Sequence, residues 1–136
     1  MSANSSNFVV EVPQPSRARN RTFWALQILV ALVFVAAAAA KLMSVPFAVE
    51  EFAQFGLGQW FRYFTAAMEL TGAILLVTPR FAAIGGGVLA TVMIGAIFAD
   101  LFVLGDSPIP AVILLVVSSA ILWFRRSSHA LRPGVR

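Results

Sequence analysis

Four charged residues lie within or at the edges of long apolar runs: Lys41, Arg62, Glu69 and Asp100. Glu69 is the most conspicuous. It stands inside WFRYFTAAMELTGAILLVTPR, Trp60 to Arg80, with Arg62 two turns earlier on the same helical face. A carboxylate within hydrocarbon is costly and seldom faces lipid, so it calls for an interior partner. Two kinds of chemistry fit a set of two cations and two carboxylates. One is a polar pocket that orients a quinone-like head group, a small anion or a proton. The other is a neutral ion-pair cluster that fixes how helices pack, because an unpaired buried charge costs several kcal/mol.

The elements that position these residues are membrane helices. Of 136 residues, 60% are hydrophobic and 12% charged, against roughly a quarter charged in a soluble domain. The length suits one compact unit. Cysteine is absent, which removes disulfides, thiol redox chemistry and Cys-ligated clusters or zinc. The single histidine, His129, lies in the polar tail, so an internal His-ligated haem is not expected. The net charge of +4 does not point to nucleic acid, because the arginines gather at the ends of apolar runs.

The chain divides into a flexible arm over 1–21, a membrane domain over 22–125 and a basic tail over 126–136. Within the arm, FVVEV could pair as a strand, but a disordered segment is the preferred reading. The first apolar run, 22–42, is long enough to cross the ~30 Å hydrocarbon core. It is read as a retained helix rather than a signal peptide, since further spans follow. Gln27, Ala31, Phe34, Ala38 and Lys41 share one of its faces. Lys41 at its end either snorkels to the interface or turns inward to an ion pair. PFAVEEFAQFG, 46–56, is a short interfacial helix or an ordered loop.

The second helix spans about 60–77 and stops at Pro79, with Arg62, Thr65, Ala66, Glu69, Gly72, Ala73 and Leu76 on one face. A third follows over 81–104. Its small-residue stripe Ala83, Gly87, Thr91, Gly95 and Ala99 is read as a seam for close helix packing. Asp100 lies on another face, with Met93 and Ala96. After the turn GDSPIP, 105–110, a fourth helix runs over 109–124. Its Ser118 and Ser119 are expected to bond their own helix carbonyls.

Of ten Lys and Arg residues, eight fall on one side: Arg17, Arg19, Arg21, Arg80, Arg125, Arg126, Arg132 and Arg136. Lys41 and Arg62 fall on the other. The positive-inside rule therefore gives an all-α, four-transmembrane-helix bundle with both termini cytoplasmic. Trp24 and Trp123 then sit at the cytoplasmic interface and Trp60 at the outer one. Asp100 lies about 6 Å from the outer end of its helix, and Glu69 roughly 12 Å inward from Arg62. The four charges thus converge in the outer half.

The blocks ALQILVALVFVAAAAAKL (25–42), FAQFGLGQWFRYFTAAMELTGAILLVTPR (52–80) and MIGAIFADLFVLGDSPIPAVILL (93–115) resemble the DoxX-like family of small four-helix membrane proteins. That resemblance covers roughly 23–126. It implies a bacterial inner-membrane protein, in a family linked to quinone-coupled sulfur oxidation and to a membrane oxidoreductase complex. Lys41 and Glu69 match the family's charged positions in the first two helices. The third helix departs from the pattern: Ala99 and Asp100 stand where many relatives carry a Thr-His pair.

The function expected from these readings is a non-catalytic or quinone-associated subunit of a membrane oxidoreductase or stress-response complex, in contact with the bilayer and with a membrane or peripheral oxidoreductase partner or with its own copies. With neither cysteine nor internal histidine, a redox centre would have to come from a partner or a bound quinone. A scaffold or assembly factor for other membrane proteins is the alternative. A small transporter is disfavoured by four short helices without a repeat or a broken span.

Overall fold

The computed structural model describes residues 17–130, with side chains to Ser127; the strand reading of FVVEV and the sites Arg132 and Arg136 fall outside them. The described residues form α1 (Arg17–Leu42), α2 (Pro46–Gln54), α3 (Gln59–Val77), α4 (Ala82–Ala99), a π-helical turn (Asp100–Leu104) and α5 (Ile109–Ala130). The segment 46–56 is thus a short helix, opened by Pro46 at its first turn, where a missing N–H leaves nothing unsatisfied. α1 begins at Arg17, so the basic residues assigned to the arm are helical, and α5 carries on into the segment assigned to the tail.

Among the described residues, three helical stretches are long and apolar enough to cross a membrane: Arg17–Leu42, Ala82–Leu104 and Ile109–Ser127. These apolar helices and the family described below make this a membrane protein. α3 is not one of the three, because charged and polar residues interrupt its apolar run. It is instead packed between α1 and α4, while α5 closes against α4 and touches α1. The core they share is Val30, Ala31, Phe34, Ala73, Leu76, Leu89, Met93, Ala111 and Ile121. The face of α1 expected from spacing is the buried one, with Gln27, Ala31, Phe34 and Ala38 all inside. Lipid-side positions such as Leu29, Leu32, Ile113 and Val116 are exposed and apolar, as hydrocarbon as solvent permits.

The packing of α4 differs from the sequence expectation. Its buried residues are Ala82, Gly85, Gly86, Leu89 and Met93. A Cβ on Gly85 would stand 2.7 Å from the Gly72 carbonyl oxygen, among the backbone of α3. Gly72 in turn makes room for Leu89, whose Cδ2 would lie 2.6 Å from an added Cβ. The stripe Gly87, Thr91, Gly95 and Ala99 is not this seam: Thr91 and Gly95 are exposed, and a Cβ at Gly87 or Gly95 meets nothing within 4 Å. α4 is apolar almost all round, so its composition favours no face; Gly85 sets the side that approaches α3 and the adjacent Gly86 the side that approaches α5.

Ser118 also departs from expectation. Its hydroxyl is fully buried without a hydrogen-bond partner among the described residues. Its own carbonyl would lie 3.2 Å from a Cβ on Gly86, which places it at the tight α4–α5 contact.

Gly85→Ala should therefore destabilise the protein by about 1–3 kcal/mol through overpacking against backbone that cannot yield. Gly95→Ala should be neutral or stabilising, since alanine is favoured over glycine by about 1 kcal/mol in a helix interior. Thermal melts of both variants in mild detergent separate the two helix faces.

Candidate functional site

Two polar assemblies hold opposite ends of the bundle. At one end Gln27 of α1 is completely buried. Its side-chain amide donates to the Leu76 carbonyl at the end of α3, and its Oε1 accepts from Arg125 Nε and Nη2 of α5 at 3.1 and 2.7 Å. The guanidinium of Arg125 also lies 5.2 Å from the centre of the Trp24 ring, and Phe23 stacks on Phe124 at 3.8 Å. One glutamine thus ties three helices together and satisfies one of the carbonyls that the end of α3 leaves without a helical donor.

At the other end lies the charge group. Lys41 Nζ bonds both carboxylate oxygens of Glu69, at 3.1 and 3.0 Å. Glu69 is 3% exposed, so its carboxylate needs a partner within the fold, and the lysine has turned inward to meet it. Arg62 is equally buried, but it serves the main chain. It donates to the Lys41 carbonyl, to Gln59 Oε1 at 2.8 Å, and lies over the Tyr63 ring at 4.4 Å. It thereby caps the end of α1 and holds Lys41 in place from behind.

Beside the pair opens a cavity of about 630 Å³. Lys41, Glu51, Glu69 and Asp100 line it, with Phe52, Phe55, Phe61, Phe64, Phe98 and Phe102 supplying much of the apolar wall. The neutral four-charge cluster expected from sequence is corrected here. Arg62 does not line the cavity, and Asp100 is not in salt-bridge contact with Lys41 or Arg62 among the described residues. Asp100 opens the π-helical turn, whose end is secured by Gly105 in the left-handed region at φ 66° and by the Asp106 N–H donating to the Asp100 carbonyl at 3.0 Å. Such a turn widens the helix by one residue. The stripe residues Thr91, Gly95 and Ala99 form part of the cavity wall.

Glu51 was missed by sequence reasoning, which placed no site residue in the segment 46–56. α2 folds back on α3, with Ala48 and Phe52 buried, and brings Glu51 to the cavity. The signal available was its place one residue before Phe52 on a helix with an apolar face. Burial holds its carboxyl above the ordinary 4.5; Lys41 opposes this, and Asp100, Glu69 and Asp106 add to it.

The sequence pattern of the DoxX-like family matches residues 25–124. The chain belongs to that family. The match runs from within α1 to the last turns of α5, so Gln27 and the Lys41–Glu69 pair lie inside the family's span and Arg125 stands one residue beyond it. Comparison with curated proteins and with solved structures returned no match.

Lys41→Met should destabilise the protein by about 3–5 kcal/mol, because it strands a buried carboxylate. Lys41→Met combined with Glu69→Met should recover much of that loss, as apolar replacements of both partners often do. Melts in detergent at fixed pH read the difference.

Glu51 sets a pH dependence. Since its folded-state affinity for a proton is raised, its ionisation works against the fold. That penalty is absent below the ordinary 4.5 and grows as pH rises through the interval up to its raised value. The melting temperature of Glu51→Gln minus that of the parent should climb from near zero at acid pH to a plateau. A flat difference across pH would contradict this.

Proposed function

We propose that this protein crosses the bacterial inner membrane four times, with both termini cytoplasmic, and holds the polar head of an apolar small molecule in the cavity beside Lys41 and Glu69. It acts as a ligand-holding subunit, without a redox centre of its own, of a membrane oxidoreductase or stress-response complex. The single observation that carries the ligand reading is the cavity itself. A pocket within the common range for small-molecule sites, apolar with a few convergent polar groups, is the usual form of such a site. Here those groups include the Lys41–Glu69 ion pair, which provides fixed dipoles. The quinone head named by the family resemblance is one neutral occupant of suitable size.

The four-crossing topology draws on two observations. α3 is sandwiched between apolar helices that face lipid, and the Gln27–Leu76–Arg125 tie brings the start of α1 together with the ends of α3 and α5. Arg17, Arg19, Arg21, Arg125 and Arg126 therefore share one end, near Arg80 in the α3–α4 connection, as the positive-inside rule favours.

A second reading, a scaffold for other membrane proteins, is favoured by the outward position of Thr91 and Gly95 on a helix that could receive a neighbour closely.

Purification in mild detergent followed by native mass spectrometry and solvent extraction should find an apolar small molecule at one per chain. Gly95→Phe, which fills the cavity from a position with open space around it, should lose that molecule while keeping its melt. A parent protein free of any small molecule, or carrying only a stoichiometric protein partner, would remove the ligand reading in favour of the scaffold.

A further inference from the structure

The charges around the cavity are unbalanced in a way that selects among occupants. Four ionisable groups line it: Lys41, Glu51, Glu69 and Asp100. Lys41 is committed, since its ammonium bonds both oxygens of Glu69, and together they are neutral. Glu51 and Asp100 remain, and no second cation lines the cavity among the described residues. The nearby arginine, Arg62, is turned to the Lys41 carbonyl, Gln59 and the Tyr63 ring. The two uncompensated carboxylates come from different walls, α2 and the π-helical turn, and these two elements are in contact. The wall around them is rich in phenylalanine, including Phe52, Phe55, Phe98 and Phe102.

Aromatic faces attract cations, most strongly where water is excluded. Carboxylates in the same wall add a charge-assisted contact. An anionic head would meet two like charges and find the sole lysine already engaged, and a neutral carbonyl acceptor would find few free donors.

We infer that the cavity takes an amphiphilic cation, a molecule with an ammonium-type head seated between Glu51 and Asp100 and an apolar body along the phenylalanine wall. This rests on the ligand-holding reading above and narrows it to one chemical class. Lipid-derived amines and free hydrophobic amines share that chemistry. Binding is linked to protons: Glu51, faced by Lys41, Glu69, Asp100 and Asp106, must lose its proton to pair with the head. Affinity therefore rises with pH, until Glu51 is fully ionised.

The test uses the full chain in zwitterionic-lipid nanodiscs and four probes: a long-chain trimethylammonium, its neutral tert-butyl isostere, a sulfonate of equal length and a short-chain benzoquinone. A single-chain and a two-chain ammonium amphiphile, compared in a second round, separate free amines from lipid-derived ones. Saturable binding is read by calorimetry and by thermal shift. The trimethylammonium should bind about tenfold more tightly than its isostere at pH 7.5, with the preference shrinking towards pH 5 and the sulfonate not binding. Glu51→Gln with Asp100→Asn should abolish the preference yet keep the weaker affinity for the isostere. If the isostere, the quinone or the sulfonate binds as well as the cation, the charge selection is wrong and the ligand-holding reading stands. If no probe binds saturably, both fail.

Discussion

The Lys41–Glu69 pair is the constraint around which the end of the bundle opposite the Gln27 tie is arranged. Neither charge is tolerable alone among apolar helices, so α1 and α3 must meet at the depth where the two side chains reach each other. That requirement sets the axial register of the two helices. Arg62 reinforces it from the main-chain side by holding the carbonyl at the end of α1. At the opposite end Gln27 performs the matching task between α1, α3 and α5. With both ends pinned by polar contacts, the apolar core between them needs only to fill space. It does so with small residues: Ala31, Ala38, Ala66 and Ala73 are all buried.

The cavity is a consequence of how the third and fourth helices are joined to that frame. Gly85 and Gly72 draw α4 against α3 at one level. Further along α4 a Cβ on Gly95 would meet nothing within 4 Å, and Asp100 begins a wider, π-helical turn. α2 folds over the resulting opening with its phenylalanines and with Glu51. The ion pair therefore shares the lining of this space with an aromatic and acidic wall. A pair buried on all sides would act purely as a lock. Placed against a cavity, the same pair also presents fixed dipoles to whatever enters.

Much of this was legible in the chain. The buried face of α1 followed from helical spacing alone, because Gln27, Ala31, Phe34 and Ala38 recur three and four residues apart. That Glu69 needs a cation followed from the cost of burying a carboxylate, while Lys41 and Arg62 both stood within reach and Lys41 could equally have snorkelled to the interface. The seam of α4 was not legible. In a helix made almost wholly of apolar residues no periodic contrast marks an inner side, so the regular 87–91–95–99 stripe outweighed the adjacent pair Gly85 and Gly86. Glu51 was equally hidden, since an acid in a short connecting helix is ordinary until that helix folds back.

The sequence by itself determined that the chain belongs in a membrane, which helices carry buried charge and which faces of α1 and α3 turn inward. Those follow from solvation, a property each residue brings with it. The tertiary structure alone decided which charges pair, that Arg62 serves backbone rather than carboxylate, and that Glu51 and Asp100 share a cavity. Those depend on distance between elements far apart in the chain, and distance is set by where glycine lets two backbones close and where a short helix is laid over the gap.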